Sequence, residues 1–346
     1  MSTSSGEIRV GVIGAGGMGA RHATNLHSRV TGARVSGVTD LDLSRAGEIA
    51  GRCGGATVFE SEAALIEDES VDAVVVVSPD DTHAGLVMRC LGQGKPVLCE
   101  KPLATSAAAA REIVDAEVEH GRKLVQVGFM RRYDPQHVAV AEAVASGAVG
   151  RPFLFKGTHR NLSAALGATS ESILFNSAVH DLDSARWFLG AEIEDVYLRG
   201  ADTAGTGEAL DLQVIQLGMG GGRLATVEVY VNAGYGYEVD AEVVGDEGTV
   251  SIAPADAPVL RSGLNAGRSV EKDWLERFPE AYVLEMQRWI EDLHAGDMTG
   301  PDAWDGYMAL LAVEACVASV ESGVTERLRA PEIPGLYRKS PGGASR

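Results

Sequence analysis

Three glycines follow a short apolar segment with the spacing of a phosphate-binding turn. Gly14, Gly16 and Gly19 form a GxGxxG pattern between a predicted strand and a predicted helix. The first glycine allows a tight turn, the second lets the backbone approach a pyrophosphate, and the third lets helix and strand pack closely. The phosphates would face the positive end of the helix. The pattern therefore predicts dinucleotide contacts from Gly14, Gly16, Gly17, Met18 and Gly19.

An aspartate ends the next predicted strand. Asp40 lies about 20 residues beyond the glycines, where dinucleotide-binding folds place an acid against the adenosine ribose. A carboxylate there accepts hydrogen bonds from the ribose 2′-hydroxyl and repels a 2′-phosphate. The other interpretation is a glycine-rich turn with an incidental strand-end acid, and strand, helix and acid together favour the nucleotide site. Asp40, with Asp42 nearby, favours NAD over NADP, although Arg45 adds a positive charge in the following segment.

A lysine stands directly after another apolar strand. Lys101 lies in "VLCEKPLATS", residues 97–106, between an acid and a proline. Lysine is strongly hydrated and rarely buried without a partner, so a solvated strand end is one interpretation. The other is a working ammonium, because ligands of doubly wound folds bind at the carboxyl ends of the strands. An ammonium there would donate a hydrogen bond to an oxygen on which negative charge develops.

A histidine and an asparagine share one face of a predicted helix. His180 follows Asn176 by four residues, and side chains with that spacing are neighbours on a helix. An imidazole titrates near neutrality, which suits a group that accepts a hydroxyl proton. A lone helical histidine is otherwise more often a packing or surface residue. An amide can orient the ring but supplies no charge.

The first part of the chain must position the glycines and the lysine. Between residues 8 and 130, short β-branched runs alternate with alanine-rich stretches, which predicts a parallel sheet built from βαβ units. We expect an α/β, doubly wound Rossmann domain over residues 1–130. Its predicted strands are 8–14, 34–40, 71–79, 95–102 and 123–130, and its predicted helices are 18–29, 43–54, 83–94 and 106–121.

The pattern changes in the rest of the chain. Long, partly alternating strands are joined by glycine-rich turns, which predicts a large, mostly antiparallel sheet in an α+β domain over residues 131–337. The last helix is free to pack back on the first domain, and residues 338–346 read as a polar tail. The predicted strands are 153–161, 192–200, 210–220, 222–245 and 248–252, and the predicted helices are 171–190, 281–296 and 303–323.

Composition narrows the possible partners. The 346 residues carry a formal net charge of −19, which argues against a nucleic-acid partner because affinity for nucleic acid comes from neutralising phosphates. We find no apolar signal region at the start and no apolar run of bilayer length, so no membrane partner and a cytoplasmic location are expected. The four cysteines lack the spacing of a disulfide framework or a metal site and suggest reduced, buried thiols.

Three segments together resemble one enzyme family. "VVVVSPDDTH" at 74–83, "GKPVLCEKPLATS" at 94–106 and "VGFMRRYDP" at 127–135 are similar to the glucose-fructose oxidoreductase, inositol dehydrogenase and rhizopine-catabolism family of NAD(P)-dependent enzymes. The resemblance runs from Gly14 to about Tyr337. Its inositol dehydrogenase branch is closest in "THRN" at 158–161, "YGYEVDAEVVGDEG" at 235–248, "RFPEAY" at 277–282 and "GPDAWDGYMA" at 300–309.

The resemblance implies roles for particular residues. The lysine of the EKP motif, Lys101, would lie beside the nicotinamide, with a cis bond before Pro102, and substrate would bind between the two halves. His180 would be the catalytic base with Asn176 beside it, and no metal is expected. The implied cofactor contacts are Ser78, Pro79, His83, Glu100, Lys101 and Pro102. The implied substrate contacts are Lys101, Met130, Arg131, His159, Asn161, Asn176, His180, Tyr235 and Tyr237, with Tyr282, Trp304 and Asp305 as weaker candidates.

Two tyrosines and two histidines have an ordinary structural interpretation as well. Tyr235 and Tyr237 have the period-two spacing of strand packing, which is as good an interpretation as substrate contact. His22 and His27 read as residues on a helix surface.

Several functions stay open at this point. The inositol enzymes usually carry aspartate where this chain has Asn176. We expect an NAD-dependent dehydrogenase that oxidises a secondary hydroxyl of a cyclitol or sugar, with myo-inositol first. The alternatives are a dehydrogenase of an amino-sugar or aminocyclitol intermediate, and a non-catalytic NAD-sensing protein. The family is often dimeric or tetrameric through the second sheet, so a homodimer or homotetramer is expected.

Overall fold

The fold consists of two compact units. A computed structural model describes residues 6–207, 209–252, 260–262, 265–267 and 269–338. One unit contains Met1–Tyr133, Glu280–Leu310 and Pro331–Arg346, and the other contains Asp134–Pro279 and Leu311–Ala330. We call them the first and the second unit. Most of the predicted polar tail, residues 339–346, lies outside the described residues.

Fifteen strands are present among the described residues. Six belong to the first unit, seven form the main sheet of the second unit, and two form a separate hairpin. In chain order they are β1 (Ile8–Ile13), β2 (Ala33–Thr39), β3 (Thr57–Val58), β4 (Ala73–Val76), β5 (Val97–Glu100), β6 (Val125–Gly128), β7 (Pro152–Arg160), β8 (Ile193–Ala201), β9 (Leu212–Met219), β10 (Arg223–Tyr230), β11 (Glu238–Gly245), β12 (Thr249–Ser251), β13 (Leu260–Ser262), β14 (Asn265–Gly267) and β15 (Glu326–Arg327).

Eleven α-helices accompany them in the described part of the chain. Several begin at a side chain that accepts a hydrogen bond from the first turn, as Asp42 does for the second helix and Ser106 for the fifth. They are α1 (Gly17–Ser28), α2 (Leu43–Arg52), α3 (Glu62–Glu67), α4 (Asp80–Gly92), α5 (Ala107–His120), α6 (Pro135–Ala145), α7 (Ser170–Ile173), α8 (Val179–Leu189), α9 (Trp274–Arg277), α10 (Pro279–Ala295) and α11 (Ala303–Ser322).

The first unit contains the predicted doubly wound parallel sheet. Its strand order is β3-β2-β1-β4-β5-β6, and every neighbouring pair is parallel. The direction of the strand order reverses between β1 and β4, and dinucleotides bind at this point of the fold. Gly14 follows the end of β1 and Ser78 follows the end of β4, so both residues lie beside it. The prediction of a Rossmann sheet is confirmed.

The first unit also takes in a late part of the chain. Met286, Trp289 and Ile290 of α10 belong to the same buried core cluster as Val12 of β1 and Leu26 of α1. Burial of such large side chains stabilises the attachment by about 1.5–3 kcal/mol each. The predicted boundaries at residues 130 and 337 stay a prediction, whereas the compact units separate after Tyr133 and return the chain to the first unit at Glu280.

The second unit is a mixed, mostly antiparallel sheet, as predicted. Its strand order is β12-β11-β7-β10-β9-β8-β15, and only the β7–β10 pair is parallel among the described strands. Helix α8 packs on one face of the sheet, where Phe188 contacts Phe155 of β7 with ring centroids 5.6 Å apart. Buried residues alternate with mostly half-buried ones along β10 and β11, which fits a sheet with one covered face.

Two features of the second unit correct the sequence prediction. The predicted single strand at 222–245 is two strands, β10 and β11, with residues 231–237 looping between them. Gly234 and Gly236 in that loop have positive φ angles, which end the extended conformation. Helix α6 was not predicted, although Asp134 caps its start and Pro135 occupies its first turn.

Helix α11 departs from the expectation about apolar runs. Residues 303–322 form a helix whose length and mean hydropathy of 1.3 would allow it to cross a membrane. Within the fold, 61% of its apolar window is buried, and residues such as Met308 and Val313 are fully inside. A mostly buried core helix passes the same test, so this observation is weak evidence for a membrane span.

The four thiols are buried and unpaired, as predicted. Cys53, Cys90, Cys99 and Cys316 are all free cysteines. Loss of solvation raises the pKa of every one of them, and the pKa of Cys90 reaches about 12. A thiol that stays protonated is a poor nucleophile, so these side chains act as small apolar groups.

Asp134 is expected to stabilise the second unit strongly. Its buried carboxylate lies 2.6 Å from His137 Nδ1 and 3.0 Å from Arg277 Nη1. Burial opposes ionisation, but His137 and Arg277 outweigh it and lower the Asp134 pKa to about 2. Because removing the carboxylate takes the negative charge away from two largely buried partners, Asp134→Ala should lower the free energy of unfolding in urea by about 3–5 kcal/mol.

The pH dependence supplies the check on this prediction. Because the pKa of Asp134 is lowered from its ordinary value of 3.8, the ionised carboxylate stabilises the fold at pH values above 3.8. That contribution is lost as the pH falls towards 2. The difference between wild type and variant should therefore shrink by about 2 kcal/mol between pH 5 and pH 2. Asp195→Ala, at another aspartate of the second unit, is the control. An equal and pH-independent loss in both variants would contradict the role of the ion pair.

Candidate active site

The glycine turn has the geometry that each of its glycines was predicted to provide. Gly14 has a φ of +106°, and a β-carbon on it would lie 2.5 Å from the carbonyl oxygen of Val77. A β-carbon on Gly19 would lie 1.9 Å from the carbonyl oxygen of Gly14, so the start of α1 packs directly on the turn. Gly16 has open space on its β-carbon side, which leaves its backbone accessible to a phosphate.

Asp40 stands beside this turn at the end of β2. Its carboxylate oxygens accept hydrogen bonds from the backbone N–H of Ala15 at 2.6 Å and of Asp42 at 2.8 Å. These bonds fix a negative charge at the position where a ribose hydroxyl would bind. Arg45 lies 3.2 Å from the Asp42 carboxylate, so this cation already has an anionic neighbour.

Replacing Asp40 should weaken selection between the two cofactors. Hydrogen bonds to a charged group contribute about 1.5–3 kcal/mol, so Asp40→Ala should raise the Kd for NAD by about 10- to 100-fold. The Kd for NADP should rise less, because a repulsive charge near its 2′-phosphate is removed as well. Fluorescence titration measures both constants. Asp115→Ala, at an exposed aspartate of α5, is the control, and an equal change in preference from that variant would count against the assignment.

Lys101 follows β5 directly and lies next to a cis peptide bond before Pro102, as the resemblance implied. Its surroundings are charged. Burial lowers the pKa of the Lys101 amine below its ordinary value, while the negative charges of Glu100 and Asp80 oppose that shift and Arg131 adds to it. A lysine whose pKa is lowered in this way can donate a hydrogen bond or a proton more readily than a free lysine.

His83 connects the two loops that flank the cofactor edge. It is almost fully buried, with Nδ1 2.7 Å from the carbonyl oxygen of Pro102 and Nε2 2.9 Å from that of Ser78. Pro79 is exposed at the start of α4, and the Ser78 hydroxyl is 2.6 Å from that of Thr82. The His83 ring therefore links the loop that contains Ser78 to the loop that contains Pro102.

The described structure locates the other predicted residues of the first unit. Met130 and Arg131 lie in a short 3-10 turn after β6 and are buried. The weaker candidates Tyr282, Trp304 and Asp305 occupy packing positions: Tyr282 faces His22 edge-on, Trp304 contacts Tyr337, and Asp305 pairs with an arginine. These contacts give the three residues structural roles.

His180 lies near the start of α8, directly after a π-helical turn. It is buried, and the π turn spans Leu174–Ala178 and includes Asn176. Such turns are often found at functional sites because they displace side chains from the regular helical pattern. The Asn176 side chain is exposed, and its amide nitrogen donates a hydrogen bond to the carbonyl oxygen of Ser172 at 2.9 Å.

Three other predicted residues of the second unit, His159, Asn161 and Tyr237, have buried polar atoms or rings. His159 is buried, 3.2 Å from the carboxylate of Asp181, and its ring meets that of Tyr237 edge-on at 5.7 Å. Asn161 also has a buried amide oxygen, which accepts no hydrogen bond from the described residues. His159 and Tyr237 therefore come together, and Asp181 is a partner that the sequence analysis did not assign.

Tyr235 belongs to a different environment. Its side chain is 52% exposed, and its hydroxyl contacts Glu238 and lies 3.1 Å from Arg160 Nη1. Arg160 projects from the opposite side of β7 to His159, because side chains alternate along a strand. The loop at 231–237 breaks the period-two relationship, so Tyr235 and Tyr237 do not share a face.

His22 corrects another prediction. The residue was expected on a helix surface, but it is fully buried, with Nε2 2.7 Å from Glu100 Oε1. His27 is exposed, as predicted. Among the described residues, no group of three or more His, Cys, Asp or Glu side chains could hold a metal ion.

The Rossmann sheet, its glycine turn and the strand-end acid define a dinucleotide-binding oxidoreductase. Family models agree. Residues 8–129 match the model of an oxidoreductase family with an NAD-binding Rossmann fold, and residues 137–251 match the C-terminal domain of the same Gfo/Idh/MocA group.

Individual relatives cover nearly the whole chain. Inositol 2-dehydrogenase from Rubrobacter xylanophilus is 56% identical over 98% of each chain, and inositol 2-dehydrogenase 1 from Saccharopolyspora erythraea is 43% identical over 95% of this chain and 99% of its own. Myo-inositol dehydrogenase from Lactobacillus casei, solved in complex with NAD(H) and myo-inositol, superposes with a TM-score of 0.92 at 33% identity, covering 96% of this chain and 100% of that one. The chain belongs to the Gfo/Idh/MocA oxidoreductase family, and its cofactor is NAD.

Proposed function

We propose that this enzyme oxidises a secondary hydroxyl of a cyclitol to a ketone with NAD, and that myo-inositol is its substrate. The observation that carries the proposal is the 56% identity to an inositol 2-dehydrogenase over 98% of both chains. The presence of Lys101 and His180 supports an active enzyme rather than a protein that only senses NAD.

Oxidation of a carbinol needs a hydride acceptor, a proton acceptor and a donor to the oxygen. Bound NAD supplies the hydride acceptor. We assign the proton acceptor to His180 and the donor to Lys101, whose ammonium stabilises alkoxide character on the reacting oxygen. The substrate-binding roles of Met130, Arg131, His159, Asn161 and Tyr237 belong to the same proposal, whereas the exposed position of Tyr235 gives it little support.

A substrate panel tests the proposed reaction. Initial rates of NADH formation should be highest with myo-inositol, compared with scyllo-inositol, glucose and an aminocyclitol at equal concentration. A preference for the aminocyclitol would favour the second candidate function. That candidate is motivated by Asn176, which supplies no negative charge where relatives are expected to have aspartate. NAD binding without turnover on any substrate would favour a sensor.

The Asn176 amide should make His180 a weaker base than an aspartate would. Asn176→Asp adds a negative charge four residues before His180, at an exposed position in the π turn, where solvent screens it, so the histidine pKa should rise by less than about 1 unit. The acidic limb of the profile of kcat/KM against pH should therefore move to higher pH. Asn176→Leu is the matched neutral variant. An unchanged limb in Asn176→Asp would contradict the proposed coupling.

A homo-oligomer formed through the second sheet is the proposed assembly, in the cytoplasm. Val214 and Leu224 are exposed on the face opposite α8, although charged pairs such as Lys156 with Glu242 share that face. Light scattering of the purified chain should give a dimer or tetramer mass. A monomer that turns over fully would contradict this assembly without affecting the proposed reaction.

A further inference from the structure

A buried group of acids and a histidine lies behind Lys101 in the first unit. Glu100, the residue before the lysine, ends β5 with a largely buried side chain. Its Oε1 lies 2.7 Å from His22 Nε2, and its Oε2 accepts a hydrogen bond from the backbone N–H of Lys101 at 3.2 Å. The carboxylate thus joins helix α1 to the peptide group of the lysine.

Glu285 places a second carboxyl group in the same region. It lies on α10 one turn after Tyr282, whose ring meets His22 edge-on at 5.8 Å, and one turn before Trp289 of the shared core. Residues with this spacing share a helix face. Glu285 is fully buried, and neither carboxyl oxygen has a hydrogen-bond partner among the residues that the structure describes.

Only one of the two carboxyl groups is ionised. Burial, together with the negative charge of Glu100, raises the pKa of Glu285 well above its ordinary value. Burial opposes ionisation of Glu100 as well, but His22 and Lys101 outweigh it, and its pKa is lowered. Two neighbouring buried carboxyls cannot both ionise cheaply, so Glu285 holds its proton and Glu100 carries the charge.

We propose that Glu100, held by His22, is a positioning residue that keeps the Lys101 amine protonated and in place for the reaction. Glu285 stays neutral, so that Glu100 can carry the negative charge. The proposal rests on the proposed function of Lys101. The groups of the first unit that act on the amine include Glu100, directly before it in the chain, Asp80 at the start of α4, and Arg131 after β6. His22 from α1 and Glu285 from α10 act on Glu100.

Glu100→Gln is the informative variant. It keeps an acceptor for the backbone N–H of Lys101 and removes the negative charge. The amine then loses its proton at lower pH, so the alkaline limb of the kcat profile should move down by about one pH unit or more. A purely structural role would lower the melting temperature and leave this limb in place, and that result would overturn the proposal.

Variants of His22 separate hydrogen bonding from packing. Glutamine carries an amide N–H near the position of histidine Nε2, so His22→Gln should keep the limb close to that of wild type. His22→Leu removes the donor, raises the Glu100 pKa, and should move the limb in the same direction as Glu100→Gln. Equal limbs in the Leu and Gln variants would contradict the role of the hydrogen bond.

Glu285→Gln is the matched control, because a neutral amide replaces a carboxyl that is already neutral. Its alkaline limb should coincide with that of wild type. A shift as large as that of Glu100→Gln would mean that Glu285 is ionised and would overturn the assignment of charges.

A second readout works without turnover. Labelling of the Lys101 amine by acetic anhydride, followed by mass spectrometry across a pH series, reports the fraction of free amine. The midpoint should move to lower pH in Glu100→Gln and stay unchanged in Glu285→Gln. If the labelling midpoints shift while no substrate is turned over, the positioning role stands and the proposed function fails. Unshifted midpoints in an active enzyme would reject the positioning role alone.

Discussion

Lys101→Met should lower kcat by about 10²- to 10³-fold, which is the usual cost of removing one donor to a developing oxyanion. Methionine keeps the length of the side chain and removes its charge. Because the proposed role of the ammonium is to act on the reacting oxygen, the Kd for NAD should stay close to that of wild type. Stopped-flow measurement of NADH formation, together with a fluorescence titration of NAD, separates the two quantities.

The same strand offers a matched control. Lys95 lies just before β5, at its other end, where its amine donates a hydrogen bond to the carbonyl oxygen of Asp68 at 2.6 Å. Lys95→Met should leave kcat almost unchanged. Similar losses of kcat in both variants, or a parallel loss of NAD affinity in Lys101→Met, would show that the lysine supports the fold or the cofactor instead of the chemical step.

His180→Ala should lower kcat by about 10²- to 10⁴-fold, the range for loss of a general base. The acidic limb of the pH profile should disappear, because the proposed proton acceptor is absent. Added imidazole should restore part of the rate, since a small base can occupy the space left by the side chain. Steady-state rates across pH 5–10, with and without imidazole, provide the measurement.

The exposed His27 of α1 supplies a comparison for that variant. His27→Ala should retain both the rate and the acidic limb, and should show no response to imidazole. A His180→Ala enzyme that keeps its acidic limb would assign the proton acceptor to another residue, and His159, which pairs with Asp181, would be the next to test.

The nucleotide half of the site could be predicted because its signals are local. Gly14 and Gly19 are separated by five residues, and their backbone roles follow from the absence of a side chain. For the glycines, the strand–turn–helix pattern sets the geometry, so the order of residues was sufficient. The strand before Lys101 left a solvated strand end as an alternative, and its assignment to the site came from the family resemblance and stays a prediction.

The environment of His22 could not be predicted in this way. The helix periodicity leaves its face ambiguous, and Tyr282, whose ring packs on it, comes from a distant part of the chain. A single sequence contains no local sign of such a contact. The period-two strand interpretation of Tyr235 and Tyr237 was wrong for a related reason, since the conformations of Gly234 and Gly236 break the strand pattern on which it relied.

The hydrogen bond between Tyr337 and Glu117 has a consequence for how the protein is made. The phenol donates to the buried carboxyl at 2.6 Å, so the first unit is fastened by a residue that is synthesised 220 positions after its partner. The nucleotide-binding unit is completed only after the intervening second unit has been synthesised. A shortened gene that stops after β6 would therefore encode an unfinished module with its α10 and C-terminal contacts missing, rather than a free-standing NAD-binding domain.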